Sequence, residues 1–221
     1  MEELSPRLLR VQLYGAAGTL AGMDDMGLAV TEALASELGL GFFPYPWHAM
    51  RDAVLELGSW LSLVCGSLGK FGQDLLLMAQ SEVGEVREAV GGRSSAMPHK
   101  SNPVRCEALV TIARANAGAL SGLHQAAIQE HERGGAGWQL EWQVWPDMAI
   151  RTAAAIEHAI KLADTLVIDT ERMKQALEGR SGLLAQADIA NPQAHLESAR
   201  QIFDATLETL EDTDRSDHNL S

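Results

Sequence analysis

Two serines, a histidine, a lysine and an asparagine stand close together at Ser94, Ser95, His99, Lys100 and Asn102, inside the run Gly91-Gly92-Arg93-Ser94-Ser95-Ala96-Met97-Pro98-His99-Lys100-Ser101-Asn102-Pro103-Val104-Arg105. The run is too polar and too kinked to be helix. Two glycines permit unusual backbone angles, and Pro98 prevents a helix from running through. Asn102 followed by Pro103 reads as a helix N-cap with proline at the first helical position. Hydroxyls, an ammonium and an amide at the mouth of a helix suit a ligand that carries carboxylates, because a helix N-terminus favours negative charge. The plainer alternative is a polar surface loop ahead of a capped helix.

The elements that must position this loop are long and helical. Asp24 and Asp25 open a helix in which Met26, Val30, Leu34 and Leu38 share one face, and Gly39 closes it. Residues 42 to 47 are aromatic, proline-rich and turn-forming. From about His48 to about Glu82 only isolated glycines interrupt an apolar pattern that covers nearly every face, which predicts a helix buried among others in a bundle. A second long helix is expected from Pro103 to about Gln129. A Gly/Trp loop follows at 131 to 145, and Pro146 is expected to start the next helix, to about Leu166. Asp169 caps a short helix over Thr170 to Leu177, and a last one spans Pro192 to Leu210. No convincing alternation of two residues marks a strand. The fold class is all-α. The expected division is a helical-bundle domain over 1–166, an abbreviated C-terminal helical domain over 167–210 and a disordered acidic tail over 211–221.

The totals restrict the partners. The chain has 221 residues and a formal net charge of -13, which argues against nucleic acid and anionic membrane surfaces. Hydrophobic content is 46%, ordinary for a globular protein. Cys65 and Cys106 lack metal-like spacing, so a reduced cytoplasmic chain is the simplest reading. No opening signal peptide or membrane-spanning apolar run is recognised.

Two further groups invite opposed readings. His48 and Arg51, at the start of the long helix, are either a surface pair or a carboxylate clamp, since arginine presents a fork matched to a carboxylate. The segment from Gln129 to Trp145, with the three tryptophans Trp138, Trp142 and Trp145 beside Gln and Glu, is either a packed loop or the wall of a pocket. His124 and His158 read as structural.

The run Ser94-Ser95-Ala96-Met97-Pro98-His99-Lys100-Ser101-Asn102-Pro103 resembles the signature loop of the fumarase/aspartase superfamily, Gly-Ser-Ser-x-Met-Pro-x-Lys-x-Asn-Pro, with Arg93 in place of the leading glycine. Within it, Gly137-Trp138-Gln139 with Glu141-Trp142, Gly15-Ala16-Ala17-Gly18-Thr19-Leu20, Pro46-Trp47-His48 with Arg51-Asp52, and Gln80-Ser81-Glu82-Val83-Gly84-Glu85-Val86 are similar to the lactonizing branch, the bacterial 3-carboxy-cis,cis-muconate cycloisomerases of protocatechuate catabolism. The similarity covers roughly residues 11 to 180. Adenylosuccinate lyases carry phosphate-holding Ser and Arg groups where this sequence has Trp138 and Trp142, which disfavours a nucleotide substrate.

The resemblance implies a carboxylate adding to a diene acid within one molecule, through an enolate-like dianion. It assigns proton transfer to Ser94 and places Ser95, Lys100, Asn102, His48, Arg51, Arg133 and Trp138 around a di- or tricarboxylate. It implies no metal or organic cofactor and a homotetramer whose sites form where subunits meet. Family members are longer, and their N-terminal active-site segments, one of them histidine-containing, have no counterpart here. An inactive helical assembly fragment is therefore the alternative reading, and another lyase of the superfamily a third.

Overall fold

A helix that brings its backbone against a neighbour needs small residues on the shared face, and the longest apolar run in the chain supplies them. The computed structural model describes residues 3–89, 92–93, 101–179 and 192–218. In chain order the first unit, Met1–Asp169, holds a short helix α1 (Ser5–Leu8), a 3-10 turn (Asp24–Met26), α2 (Gly27–Leu38), α3 (Asp52–Met78), β1 (Val86–Glu88), β2 (Gly92–Arg93), β3 (Ser101–Asn102), α4 (Val104–Ala126), α5 (Ala136–Thr165) and β4 (Leu166–Ile168). The second unit, Thr170–Ser221, holds α6 (Thr170–Glu178) and α7 (Pro192–His218).

Gly58, Cys65, Gly69 and Gly72 lie buried along α3. A side-chain carbon at Gly69 would stand 2.5 Å from Ala113 Cβ, and one at Gly72 would stand 2.9 Å from the Cys106 carbonyl. Gly58 faces Leu123. As α3 advances from 58 to 72, its contacts on α4 retreat from 123 to 106, so the two helices are antiparallel. Asn116 meets Met148 and Thr152, and Gly122 meets Val144, which makes α4 and α5 antiparallel too.

One polar knot ties the three long helices together. Asn116 Nδ2 reaches Cys65 Sγ at 3.2 Å, the Met148 carbonyl at 3.2 Å and Thr152 Oγ1 at 3.0 Å. Thr152 Oγ1 donates to the Met148 carbonyl at 2.8 Å and lies 3.3 Å from Cys65 Sγ. Buried polar groups are tolerated when bonded to one another, and this knot fixes the axial register of α3, α4 and α5. Leu109, Leu123, Met148 and Leu162 fill the surrounding core. The long helix is not buried all round within this chain. Leu63 is 70% exposed, and Leu77, Ile150 and Ile160 are also open. No helix among the described residues is long and apolar enough to cross a membrane.

The fold is all-α, and among the described residues two sheets of two strands each act as clasps. β1 pairs antiparallel with β4, Val86 opposite Ile168, and β2 pairs with β3, Gly92 opposite Asn102. The expected N-cap is therefore corrected. Asn102 lies in β3, and Pro103 occupies the N-cap position without a side-chain cap bond. A residue before proline is pushed toward extended backbone, which suits a strand better than a cap. The expected loop at 131–145 is also corrected, because α5 already begins at Ala136 and carries Pro146 in its interior. Gln139, Leu140 and Glu141 are good helix formers, and the cost of the proline, one missing hydrogen bond with local crowding, is borne inside a long packed helix. The short helix α1 ends at Leu8, because the chain then joins Gly41: Val11 N donates to the Gly41 carbonyl at 2.9 Å and Gly41 N to the Leu9 carbonyl at 2.8 Å. The acidic residues 211–218 continue α7 rather than forming a disordered tail.

Candidate functional site

The segment before α3 is built as a platform. Tyr14 is buried and its hydroxyl donates to the Phe43 carbonyl. Trp47 Nε1 donates to the Val11 carbonyl at 2.9 Å, and Thr31 Oγ1 donates to that of Leu13 at 2.9 Å. The Arg10 guanidinium stacks 4.4 Å from the Phe43 ring and 5.3 Å from that of Trp47. These contacts hold the proline-rich turn as a unit and leave little freedom to the residue that follows it, His48.

His48 is 4% exposed, lies edge-on to Tyr14 at 6.2 Å, and has an Nδ1 with no hydrogen-bond partner among the described residues. Burial first, then the positive charges of Arg133 and Arg51, hold its pKa below the ordinary histidine value, so the ring is neutral at pH 7. Arg51 does not face an open cavity. Its Nε donates to Glu141 Oε1 at 2.7 Å and its Nη2 to Glu141 Oε2 at 2.7 Å, with both side chains about nine-tenths buried. The fork expected to clamp a ligand carboxylate already clamps one from α5.

Arg133 is the outward-facing cation of the cluster. Its guanidinium lies 4.9 Å from the Trp138 ring centre, and its Nη1 donates to the Gly15 carbonyl at 3.4 Å. Trp138 is half-buried, whereas Trp142 is 68% exposed. Of the pocket wall expected from the tryptophans, one ring meets Arg133 and another faces outward. The sum is a neutral imidazole beside two guanidiniums and a single carboxylate, a setting with net positive charge in a strongly acidic chain.

Asn102 is elsewhere. It ends β3 just ahead of α4, and α4 meets α3 near Gly72. Arg51 immediately precedes α3, so the two places are separated by about 30 Å at roughly 1.5 Å per helical residue. Close to Asn102, Arg105 Nη1 donates to Glu88 Oε2 at 2.7 Å, with the Glu88 side chain almost fully buried and its Oε1 unpartnered among the described residues. Burial, then the charge of Glu88, pushes the neighbouring Cys106 thiol up to about 11. Ser94, Ser95 and Lys100 lie outside the described residues. The structure thus brings His48, Arg51, Arg133 and Trp138 together and places Asn102 at the opposite end of α3. Among the described residues no cluster of three or more His, Cys, Asp and Glu is arranged for a metal ion.

Sequence reasoning missed Glu141, Tyr14 and Glu88 as members of these groups. For Glu141 a signal existed: Trp138, Glu141 and Trp142 are spaced three and four apart, as on one helical face. Gly134, Gly135 and Pro146 mark the segment as loop, and in a loop that spacing carries no weight.

The neutrality of His48 has a consequence for stability. The unfolded chain takes up the proton near pH 6.5, whereas the folded chain resists it. The contribution of this group is complete above that pH and lost as pH falls through the depressed folded value. Urea midpoints at pH 7.5 and pH 5.5 are expected to differ more in the native chain than in His48→Gln. Equal differences would show that His48 is not held neutral.

The sequence profile of the family described as Lyase matches residues 1–118. The chain belongs to this lyase family. Over 191 residues it is 46% identical to the 3-carboxy-cis,cis-muconate cycloisomerase of Pseudomonas aeruginosa, a stretch that covers 85% of this chain and 42% of that protein. It is 36% identical over 193 residues to the nitrosuccinate lyase of Streptomyces davaonensis, covering 82% and 41%. The crystal structure of the 3-carboxy-cis,cis-muconate lactonizing enzyme from Pseudomonas putida superposes with a TM-score of 0.76 at 43% identity, covering 83% of this chain and 41% of that one. The chain spans under half the length of these relatives of the lyase family.

Proposed function

We propose that this lyase-family chain is the part of a 3-carboxy-cis,cis-muconate cycloisomerase that carries the signature loop and one carboxylate-holding cluster. The observation that carries the reading is the cluster itself: a neutral His48 beside Arg133, with Trp138 as a planar apolar wall. Such a wall suits a flat conjugated acid, and Arg133 suits one of its carboxylates. The similarity to cycloisomerases over most of the chain supports the same reaction.

In this reaction one carboxylate oxygen bonds to a carbon of the conjugated diene. The displaced electron pair moves into another carboxylate, giving an enolate-like dianion, and a proton then adds to the adjacent carbon to leave the lactone. Lys100 and Asn102 are assigned to the carboxylate that becomes electron-rich, where aligned donors lower the barrier most. Ser94 is assigned to the proton transfer at carbon and Ser95 to substrate binding. His48 and Arg133 hold the far end of the substrate. Arg51 acts there through Glu141 rather than as a free clamp. Because the two ends of α3 are about 30 Å apart, a complete site combines groups from more than one copy, in a homo-oligomer. The family resemblance points to a tetramer.

The test is an ultraviolet assay of the 221-residue chain with 3-carboxy-cis,cis-muconate, following loss of diene absorbance, with Ser94→Ala beside it. Turnover that the substitution abolishes is the expected result, in the chain alone or with a segment corresponding to the remainder of the longer relatives. A second reading is favoured by the nitrosuccinate lyase match over a similar share of the chain: elimination from a substituted succinate. Loss of muconate turnover under both conditions, with production of fumarate-like absorbance from such a succinate, would replace the first reading with the second. Inertness toward both would leave a helical assembly fragment.

A further inference from the structure

In the reading above Glu141 only holds Arg51 and touches no substrate. It faces the residue best suited to grip a ligand. Its two oxygens take the Nε and Nη2 of Arg51 side by side at 2.7 Å each, the geometry a bound carboxylate would adopt. The remaining Nη1 of Arg51 lies 3.5 Å from the His48 carbonyl. The other guanidinium that acts on His48 among the described residues, that of Arg133, rests on Trp138 and is open to solvent. Tyr14 lies edge-on to His48 and carries no charge.

From this arrangement we infer that Glu141 is a specificity-determining residue: it stands in for a ligand carboxylate on Arg51, so this end of the site accepts one carboxylate, on Arg133, rather than two. The inference deepens the reading of this cluster as a carboxylate site and rests on it. A chain with Asp or Glu at 141 discriminates against acids that present two carboxylates to this end. A chain with a neutral residue at 141 exposes a second guanidinium and welcomes them.

The probe is citrate, which offers three carboxylates and is independent of turnover. In Glu141→Gln the amide retains one acceptor for Arg51 and removes the charge. Citrate affinity, followed by tryptophan fluorescence from Trp138, is expected to rise about tenfold or more over the native chain. In the double variant Arg51→Leu with Glu141→Leu, which removes the guanidinium as well, the gain is expected to vanish while the Arg133-dependent component remains. A purely structural role for Glu141 would change stability in both variants without separating their citrate responses. If Glu141→Gln melts too early for titration, the rise of its Tm with citrate reads the same quantity, since a ligand stabilises the fold it binds.

Equal citrate responses in the native chain and the two variants, or none in any of them, would overturn the inference. The diene assay decides the lactonizing reading separately. A chain that lactonizes but shows no gain in Glu141→Gln keeps that reading and loses this one.

Discussion

Arg51→Leu is expected to destabilise the fold by about 3–5 kcal/mol at neutral pH, the cost of leaving a buried carboxylate without its partner. Glu141 would then sit about nine-tenths buried without its bonded partner. Replacing both members, Arg51→Leu with Glu141→Leu, is expected to bring stability back to within about 1–2 kcal/mol of the native chain. Apolar side chains of similar size recover packing, and no charge is left desolvated. Urea unfolding at pH 7.5 measures each value, and with Glu141→Leu alone as the fourth chain the set forms a cycle whose non-additivity is the interaction. A single variant that loses under about 1 kcal/mol would mean that water reaches Glu141 freely, and the pair would then rank with exposed ones such as Arg151–Asp147.

Gly69→Leu is expected to be of similar size, about 3 kcal/mol or more, from overpacking alone. Even the first carbon of the new side chain would stand 2.5 Å from Ala113 Cβ, closer than two carbons approach. Neither α3 nor α4 can retreat alone, because the knot of Asn116, Cys65 and Thr152 lies within a turn or two of the contact. The control is on the same helix. Gly66 is exposed and meets nothing within 4 Å, so Gly66→Ala is expected to stabilise by about 0.5–1 kcal/mol through helix propensity. Thermal melts of the two variants should move in opposite directions. A shared direction would show that backbone freedom, not the α3–α4 contact, governs this seam.

The long helices were legible because their signal is local. The apolar run from His48 onward has no breaker, and Gly39 with φ of 63° ends α2 as its type and place suggest. The start of α5 was not legible, because Gly134, Gly135 and Pro146 are local marks of a loop, whereas the packing of Gly137 and Glu141 that favours helix is tertiary. For the same reason Arg51 read as a clamp for a ligand. Its partner lies on another helix, and nothing in the neighbourhood of Arg51 names it. The 30 Å between Arg51 and Asn102 was equally hidden, since their separation depends on which end of α3 each approaches.

The clasp of β1 on β4 has a consequence for the order of events in folding. The α3–α4 and α4–α5 contacts join neighbours in sequence, which form early and reopen rarely. The clasp instead joins Val86 to Ile168, across α4 and α5, by three residue pairs. Closing so long a loop is worthwhile only after the helices have packed. In the native state the same strands are therefore expected to come apart without unfolding the bundle, and hydrogen exchange should find their amides ahead of those in α3 and α4. Glu88 ends β1 and bonds Arg105 at the start of α4. The first place where this unit loosens is thus the carboxylate that ties the base of the serine-bearing segment to its helix.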